Sequence, residues 1–530
     1  MSEIRESMRK TLADSAGMRW GILLLVSFAM AVNYYFYDVL SPIQEELIKK
    51  LGLSEGEYGS IIAAYSIPNV FFLMAAIGGM ICDRMGVRLS GVVFFGVMVV
   101  GAGLTWYGTT DVFNQGGPGY AFFASFLTEH SPAFKMMFLG FFLFGLGAET
   151  SAVIISKIVI KWFRGRELAT ALGINVGIAR VASSLTISVG AWLADPVWNR
   201  PVLVGFIIMV SGFIAFLIYL LPDTIYERQL AAQLDEPEEP FRIKDALRLL
   251  TVPTFVYVVL LCVTFYAGVF PFMKYAVDLM QNKFAMDKQT AGIVVSVLPL
   301  AMAGITPLFG MLYDFRGKGA TMMIWGSVLM VAGHGLLSLT SLSPYVALVL
   351  LGIAFSLVPA VMWPSLAKIV EEKALGSAYG ITFTIQNLGL MAISALIGIV
   401  LGATNPGIAE VKRFCDQSTL DHEKVNAQQI APACRKLLDE TATTHRGDVA
   451  VVDDVRAFCE TLPDGRPAVE KGKELCSNRA VYDYTWPILM LAIFGVIGVV
   501  FAFLLKRADR REGYGLELPN KDIKGDSKPA

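Results

Sequence analysis

Long apolar runs alternate with short polar stretches along the chain, as in Trp20 to Val32, Leu89 to Leu104, Val202 to Leu221 and Ile488 to Leu505. Each run approaches the roughly 20 apolar residues that a helix needs to cross a bilayer. The pattern predicts spans at 18–41, 57–82, 88–108, 136–161, 167–194, 199–222, 253–276, 288–313, 319–340, 344–370, 376–402 and 484–506. All are expected to be helical, because lipid offers no partner for exposed backbone N–H and C=O groups. The first run follows Arg5, Arg9, Lys10 and Arg19, and no small-residue cleavage site comes after it. It therefore reads as a retained first helix rather than a removed leader.

The polar stretches organise the rest. Asp223 to Leu250, acidic and proline-rich between Gln229 and Pro240, divides the spans six and six, as a linker between two bundles would. Gly79, Asp83 and Gly86 recur as Gly310, Asp314 and Gly317 at a constant offset of 231, and Pro68 recurs as Pro299 at the same offset. Further on the offset falls to 207, where Ala171-Leu172-Gly173-Ile174 matches Ala378-Tyr379-Gly380-Ile381. The first half therefore carries about 24 extra residues, in the loop around Asn114 to Phe134. The expected fold is an all-α membrane protein, with twelve transmembrane helices in two pseudo-symmetric six-helix bundles. The boundaries follow: 1–222 for the first bundle, 223–252 for the linker, 253–506 for the second bundle with an insert at 403–483, and 507–530 for a polar tail expected to be mobile. Two homologous bundles imply alternating access to a site between them.

Composition agrees and adds a compartment. The chain is 55% hydrophobic and 17% charged, with a mean hydropathy of +0.57, so water is not its main solvent. A net charge of −1 argues against a nucleic-acid partner or a polybasic tether. Arg84, Arg88, Lys161, Arg164, Arg166, Arg242, Lys244, Arg248, Arg316, Lys318, Lys506 and Arg507 fall in alternate loops on one side, which places both termini in the cytoplasm. Of six cysteines, Cys82 and Cys262 lie in apolar segments, and Cys415, Cys434, Cys459 and Cys476 share the insert on the opposite side. There an oxidising compartment favours disulfides, in any of three pairings. No cluster with metal-ligand spacing accompanies them, and His422 and His445 stand apart.

Two motifs carry candidate chemistry. The loop Gly79-Met-Ile-Cys-Asp83-Arg84-Met-Gly86-Val-Arg88 and its copy Gly310-Met-Leu-Tyr-Asp314-Phe-Arg316-Gly317-Lys318 place an acid among bases at a helix end. Such a group can hold a neighbouring helix end by charge and dipole and release it, so Asp83, Arg84 and Asp314 are gating candidates; the bland reading is an ordinary short basic loop. Glu149, in Gly145-Leu-Gly147-Ala-Glu149-Thr150, and Arg180, in Gly177-Ile-Ala-Arg180, fall near mid-bilayer on the fourth and fifth spans. An ionised group there costs several kcal/mol unless it is paired or faces water, which makes both functional candidates. The carboxylate suits an ammonium and the guanidinium a carboxylate. A structural salt bridge between the two spans is the plain alternative. Asp38 and Lys274, near the outer ends of spans one and seven, read as snorkelling or gate-pairing groups.

The duplicated loop resembles the signature loop of the major facilitator superfamily. Within that superfamily, Glu149, Trp162-Phe-Arg-Gly-Arg-Glu167, Arg180, Val358-Pro-Ala-Val-Met-Trp363-Pro364 and Ala378-Tyr379-Gly-Ile-Thr-Phe-Thr-Ile385-Gln386-Asn387-Leu-Gly389-Leu390 are similar to the branch that contains major facilitator superfamily domain-containing protein one. Lysosomal members of that branch carry dipeptides. The resemblance implies that Glu149 and Arg180 hold the two peptide termini. Gln386 and Asn387, which match Ala179 and Arg180 under the 207 offset, would offer neutral polar groups from the second bundle, and Trp363, Tyr34 and Tyr35 aromatic walls. The large insert and the absence of any Asn-X-Ser/Thr sequon depart from a glycosylated lysosomal setting and suit a bacterial inner membrane.

The expected activity is therefore transport of short, dipeptide-like zwitterions by a monomer in the lipid bilayer, with uniport and proton symport both open. No Walker-type phosphate loop occurs, and no catalytic set, metal or cofactor is expected. Two alternatives stand beside it. One is a carrier of organic or inorganic anions held by Arg180 and Lys157; the other is a non-transporting partner or sensor built around the insert.

Overall fold

The computed structural model describes residues 11–163, 168–231, 248–370, 375–405 and 482–519. Cys415, Cys434, Cys459 and Cys476, most of the insert, the middle of the linker and the end of the tail lie outside the described residues. Every regular element among those described is helical, and eleven helices are long and apolar enough to cross a membrane. The expected span 57–82 is the exception. It is broken into Glu55–Ala64, Ile67–Phe71 and the start of Met74–Gly108, with Leu73 in the left-handed region at φ 52°. Pro68, which has no N–H to donate, sits in the middle piece. Its repeat partner Pro299 lies inside the unbroken helix Lys288–Arg316, so the halves differ at this point.

The two bundles are built alike. In the first, span three packs on spans four and six, and span one on spans five and six; in the second, span nine packs on ten and twelve, and span seven on eleven and twelve. The repeated glycines share a positive φ as well. Gly86 (φ 77°) turns span two into span three and Gly317 (φ 64°) ends span eight, both in the region that favours glycine. Between the bundles, span five runs along span eight and span two along span eleven.

Those two seams are tight on the face that bears the insert. A Cβ on Gly398 would stand 2.3 Å from the Glu55 carbonyl oxygen, and one on Gly59 2.7 Å from that of Ser394. Gly292 of span eight meets Ala191 and the Ile187 carbonyl of span five in the same way. The Lys274 ammonium reaches across to the Asp38 carboxylate at 2.6 Å and to the Tyr37 carbonyl, while Ser41 donates to Met273 O (2.8 Å) and Tyr58 to Lys274 O (3.0 Å). Asp38 and Lys274 thus pair across the bundles rather than snorkel. On the opposite, terminal face, Gly173 and Gly177 of span five and Gly304 and Gly310 of span eight look onto open space. The close contacts between the bundles thus gather on the insert face.

The tail differs from expectation. Helix Thr485–Glu512 continues past Arg507, and Gly513 to Pro519 then folds back onto the copied loop at Gly317. Lys318 N–H donates to Glu517 O and Gly319 N–H to Leu516 O, each at 2.9 Å. Thr321 donates to the Glu517 carboxylate through its N–H (2.8 Å) and hydroxyl (2.7 Å), and Lys506 adds an ion pair at 3.3 Å. Leu516 is fully buried. A stretch that is polar in sequence is held because its few partners match the loop's unpaired backbone groups.

Candidate functional site

Glu149 lies on span four, Pro132–Phe163, one turn after Gly145. Gly145 matters because its missing Cβ would fall 2.0 Å from the Tyr65 carbonyl oxygen. Glycine there lets the first break of span two press against span four. The Tyr65 side chain neighbours the Glu149 carboxylate, and Asn387 of span eleven neighbours it from the other bundle. The Tyr65 ring meets Tyr37 edge-on at 4.6 Å.

Arg180 lies on span five, Leu168–Leu193. Its guanidinium sits between two aromatic faces, 5.2 Å from the Tyr34 ring of span one and 5.1 Å from the Phe270 ring of span seven. Such stacking suits the flat, weakly hydrated guanidinium. Among the described residues no ion pair joins it to Glu149, and its buried Nη1 has no hydrogen-bond partner. The salt bridge between spans four and five that the sequence leaves open does not form in this arrangement.

An aromatic wall continues into the second bundle. Phe270 stacks on Tyr266 (5.5 Å), one turn away on span seven. Trp363 Nε1–H donates to the Tyr266 hydroxyl at 2.9 Å, and the indole stacks on Phe383 at 4.8 Å. Asn387 follows Phe383 by one turn and donates from Nδ2 to its carbonyl at 3.1 Å. Asn387 is 2% exposed, and its Oδ1 has no partner among the described residues.

Glu149, Arg180, Tyr34, Trp363 and Asn387 are therefore brought together between the bundles. Gln386 is not part of the group: it is buried against span seven, where Cys262 Sγ–H donates to its Oε1 at 3.5 Å. Tyr35 is also buried elsewhere, about 100° around the helix from Tyr34. Arg84 and Asp314 stand at the terminal-face loops away from this group, Arg84 exposed; of Asp83 the backbone alone is described, inside Met74–Gly108. Tyr37, Tyr65, Tyr266, Phe270 and Phe383 are the members that sequence reasoning missed. The available signals were the spacing of Tyr34 and Tyr37 and that of Tyr266 and Phe270, each pair on one helical face.

Two helical bundles of matching plan, meeting over a polar and aromatic group that both contribute to, define a two-bundle membrane carrier. The chain belongs to the Major Facilitator Superfamily, whose sequence profile matches residues 26–394. It is similar to the Lysosomal dipeptide transporter MFSD1 of Mus musculus, 28% identical over 402 residues, 74% of this chain and 82% of that one. The Homo sapiens protein of the same name is 28% identical over 392 residues, 72% of this chain and 79% of that one. Among solved structures, a bacterial homolog of the human lysosomal transporter Spinster, inward-facing and unoccupied, superposes with a TM-score of 0.60 at 15% identity, covering 94% of this chain and 99% of that one. At that identity the likeness bears on the fold alone.

Proposed function

We propose that this carrier moves short, dipeptide-like zwitterions by alternating access, the ammonium held at Glu149 and the carboxylate at Arg180. The observation that carries the reading is that a carboxyl and a guanidinium, contributed by Glu149 and Arg180, stand between the bundles with no ion pair joining them. A lone anion would suit Arg180 but would be repelled by Glu149, whereas a zwitterion satisfies both. Relatives named as dipeptide transporters, matched over about three quarters of the chain, support the same substrate class. Asp83, Arg84 and Asp314 are proposed to govern closure of the terminal face. That face is proposed to be cytoplasmic, in a bacterial inner membrane, with the insert and its disulfides outside.

The test is uptake of a labelled dipeptide by the purified protein in liposomes. Losing a hydrogen bond to a charged group costs about 1.5–3 kcal/mol, so Glu149→Gln and Arg180→Gln should each lower kcat/KM by roughly 10- to 150-fold. Nitrate or a dicarboxylate carried as well as the dipeptide would overturn the reading.

A further inference from the structure

Beside the Glu149 carboxylate stands a buried acceptor with nothing to accept. Asn387 donates from Nδ2 to the Phe383 carbonyl, and a carbonyl can pair only with the NH2 side of an amide. That bond fixes which way the amide points. The amide neighbours the Glu149 carboxylate, and Oδ1 is left without a partner on a side chain that is 2% exposed. Orphaned buried acceptors are unfavourable and uncommon in folded proteins, so this one is open to a donor from water or a ligand. Across the group, Arg180 Nη1 is an orphaned buried donor. The unsatisfied atoms therefore have the polarity of a zwitterion laid with its ammonium toward Asn387.

We infer that Asn387 is a specificity-determining residue for the substrate's amino terminus: Oδ1 accepts one ammonium N–H while Glu149 accepts another. This rests on the peptide reading and deepens it. Glu149 belongs to the first bundle and Asn387 to the second, so the ammonium is clasped by both. The clasp needs at least two N–H groups. A primary ammonium has three and an N-terminal proline or N-methyl group leaves two, whereas an N,N-dimethyl terminus keeps the charge with only one. The site is thus selective for N–H count and not for charge alone.

The experiment compares uptake and binding of one dipeptide in its primary, N-methyl and N,N-dimethyl forms by the full chain in liposomes. The native protein is expected to take the primary and N-methyl forms comparably and the N,N-dimethyl form about tenfold less well or worse. Asn387→Ala should weaken the primary form by a similar factor and bring the ratio of primary to N,N-dimethyl close to one. Asn387→Asp, which restores an acceptor in the same place, should restore the preference. An Asn387→Ala protein that keeps the native ratio overturns the inference. If Asn387→Ala does not fold, Asn387→Leu, of similar size and without an acceptor, is read in its place, with the same two outcomes. The two failures are distinguishable, because unaltered dipeptide uptake by Glu149→Gln sinks the peptide reading itself, while an intact Glu149 effect with an unchanged ratio sinks only the role of Asn387.

Discussion

The ion pair between Asp38 and Lys274 gives the sharpest test of how the bundles are held. Both side chains are almost fully buried (1–2% exposed), and they lie in different bundles at 2.6 Å. The contact exists only while the insert face is shut; once the bundles part there, both groups face water. Removing one partner of a buried pair costs about 3–5 kcal/mol, because the other charge is left uncompensated. In Asp38→Asn the ammonium keeps the Tyr37 carbonyl and the Tyr37 ring, whose centre is 3.3 Å away. A desolvated cation–π contact is worth about 2 kcal/mol, so the lower end of the range applies. About 3 kcal/mol is a factor of roughly 150 in the balance between shut and open.

Spin labels at Lys50 and Leu342, exposed positions of opposite bundles on the insert face, report that balance as a distance distribution. Asp38→Asn should move population from a short to a longer distance. Asp38→Asn combined with Lys274→Met should move it back, since no orphaned charge remains to favour opening. An unchanged distribution in Asp38→Asn would refute the reasoning, as would a double variant as open as the single one.

Three further outcomes follow from the packing. Gly398→Leu puts a side chain where a Cβ already meets the Glu55 carbonyl at 2.3 Å, so the same labels should report an insert face that cannot shut, and uptake should fall. Gly317→Ala should lower the thermal midpoint more than Gly86→Ala. Both positions combine positive φ with extended ψ, which costs an L residue about 1–3 kcal/mol, but a Cβ on Gly317 also strikes the Glu517 carbonyl at 2.5 Å while Gly86 has open space. Deleting residues 513–530 exposes the loop that Leu516 and Glu517 cover, and a midpoint equal to that of the full chain would refute that role. Burial raises the Glu517 pKa, but hydrogen bonds from Thr321 and the Lys506 ammonium outweigh it and hold the carboxyl below its ordinary value. Its stabilising contribution is therefore present above the unfolded value of about 4.3 and is lost as pH falls below that, a dependence that Glu517→Gln should flatten.

What the sequence made legible follows from what is expensive in a membrane. Apolar length marks the crossings because exposed backbone and charge are costly in lipid, and the offset of 231 marks the halves because Gly86 and Gly317 both take a positive φ that favours glycine. Glu149 and Arg180 stood out for the same reason: a mid-membrane charge is rare enough to be information. The break in span two was half legible. Pro68 announces a weak point, but Leu73 adopts a left-handed φ that nothing in its identity shows. The aromatic members of the site carry no such mark, since Tyr65, Phe270 and Tyr266 are ordinary residues for an apolar span and cost nothing to place there. Register separates Tyr34, over the guanidinium, from its neighbour Tyr35, and it does so only once the helix is oriented. The same limit hid the tail, where one buried leucine and one paired glutamate hold a stretch whose composition reads as solvent-loving. Sequence thus shows where the fold spends free energy on an awkward group, whereas the inexpensive groups that complete a site become visible through contact.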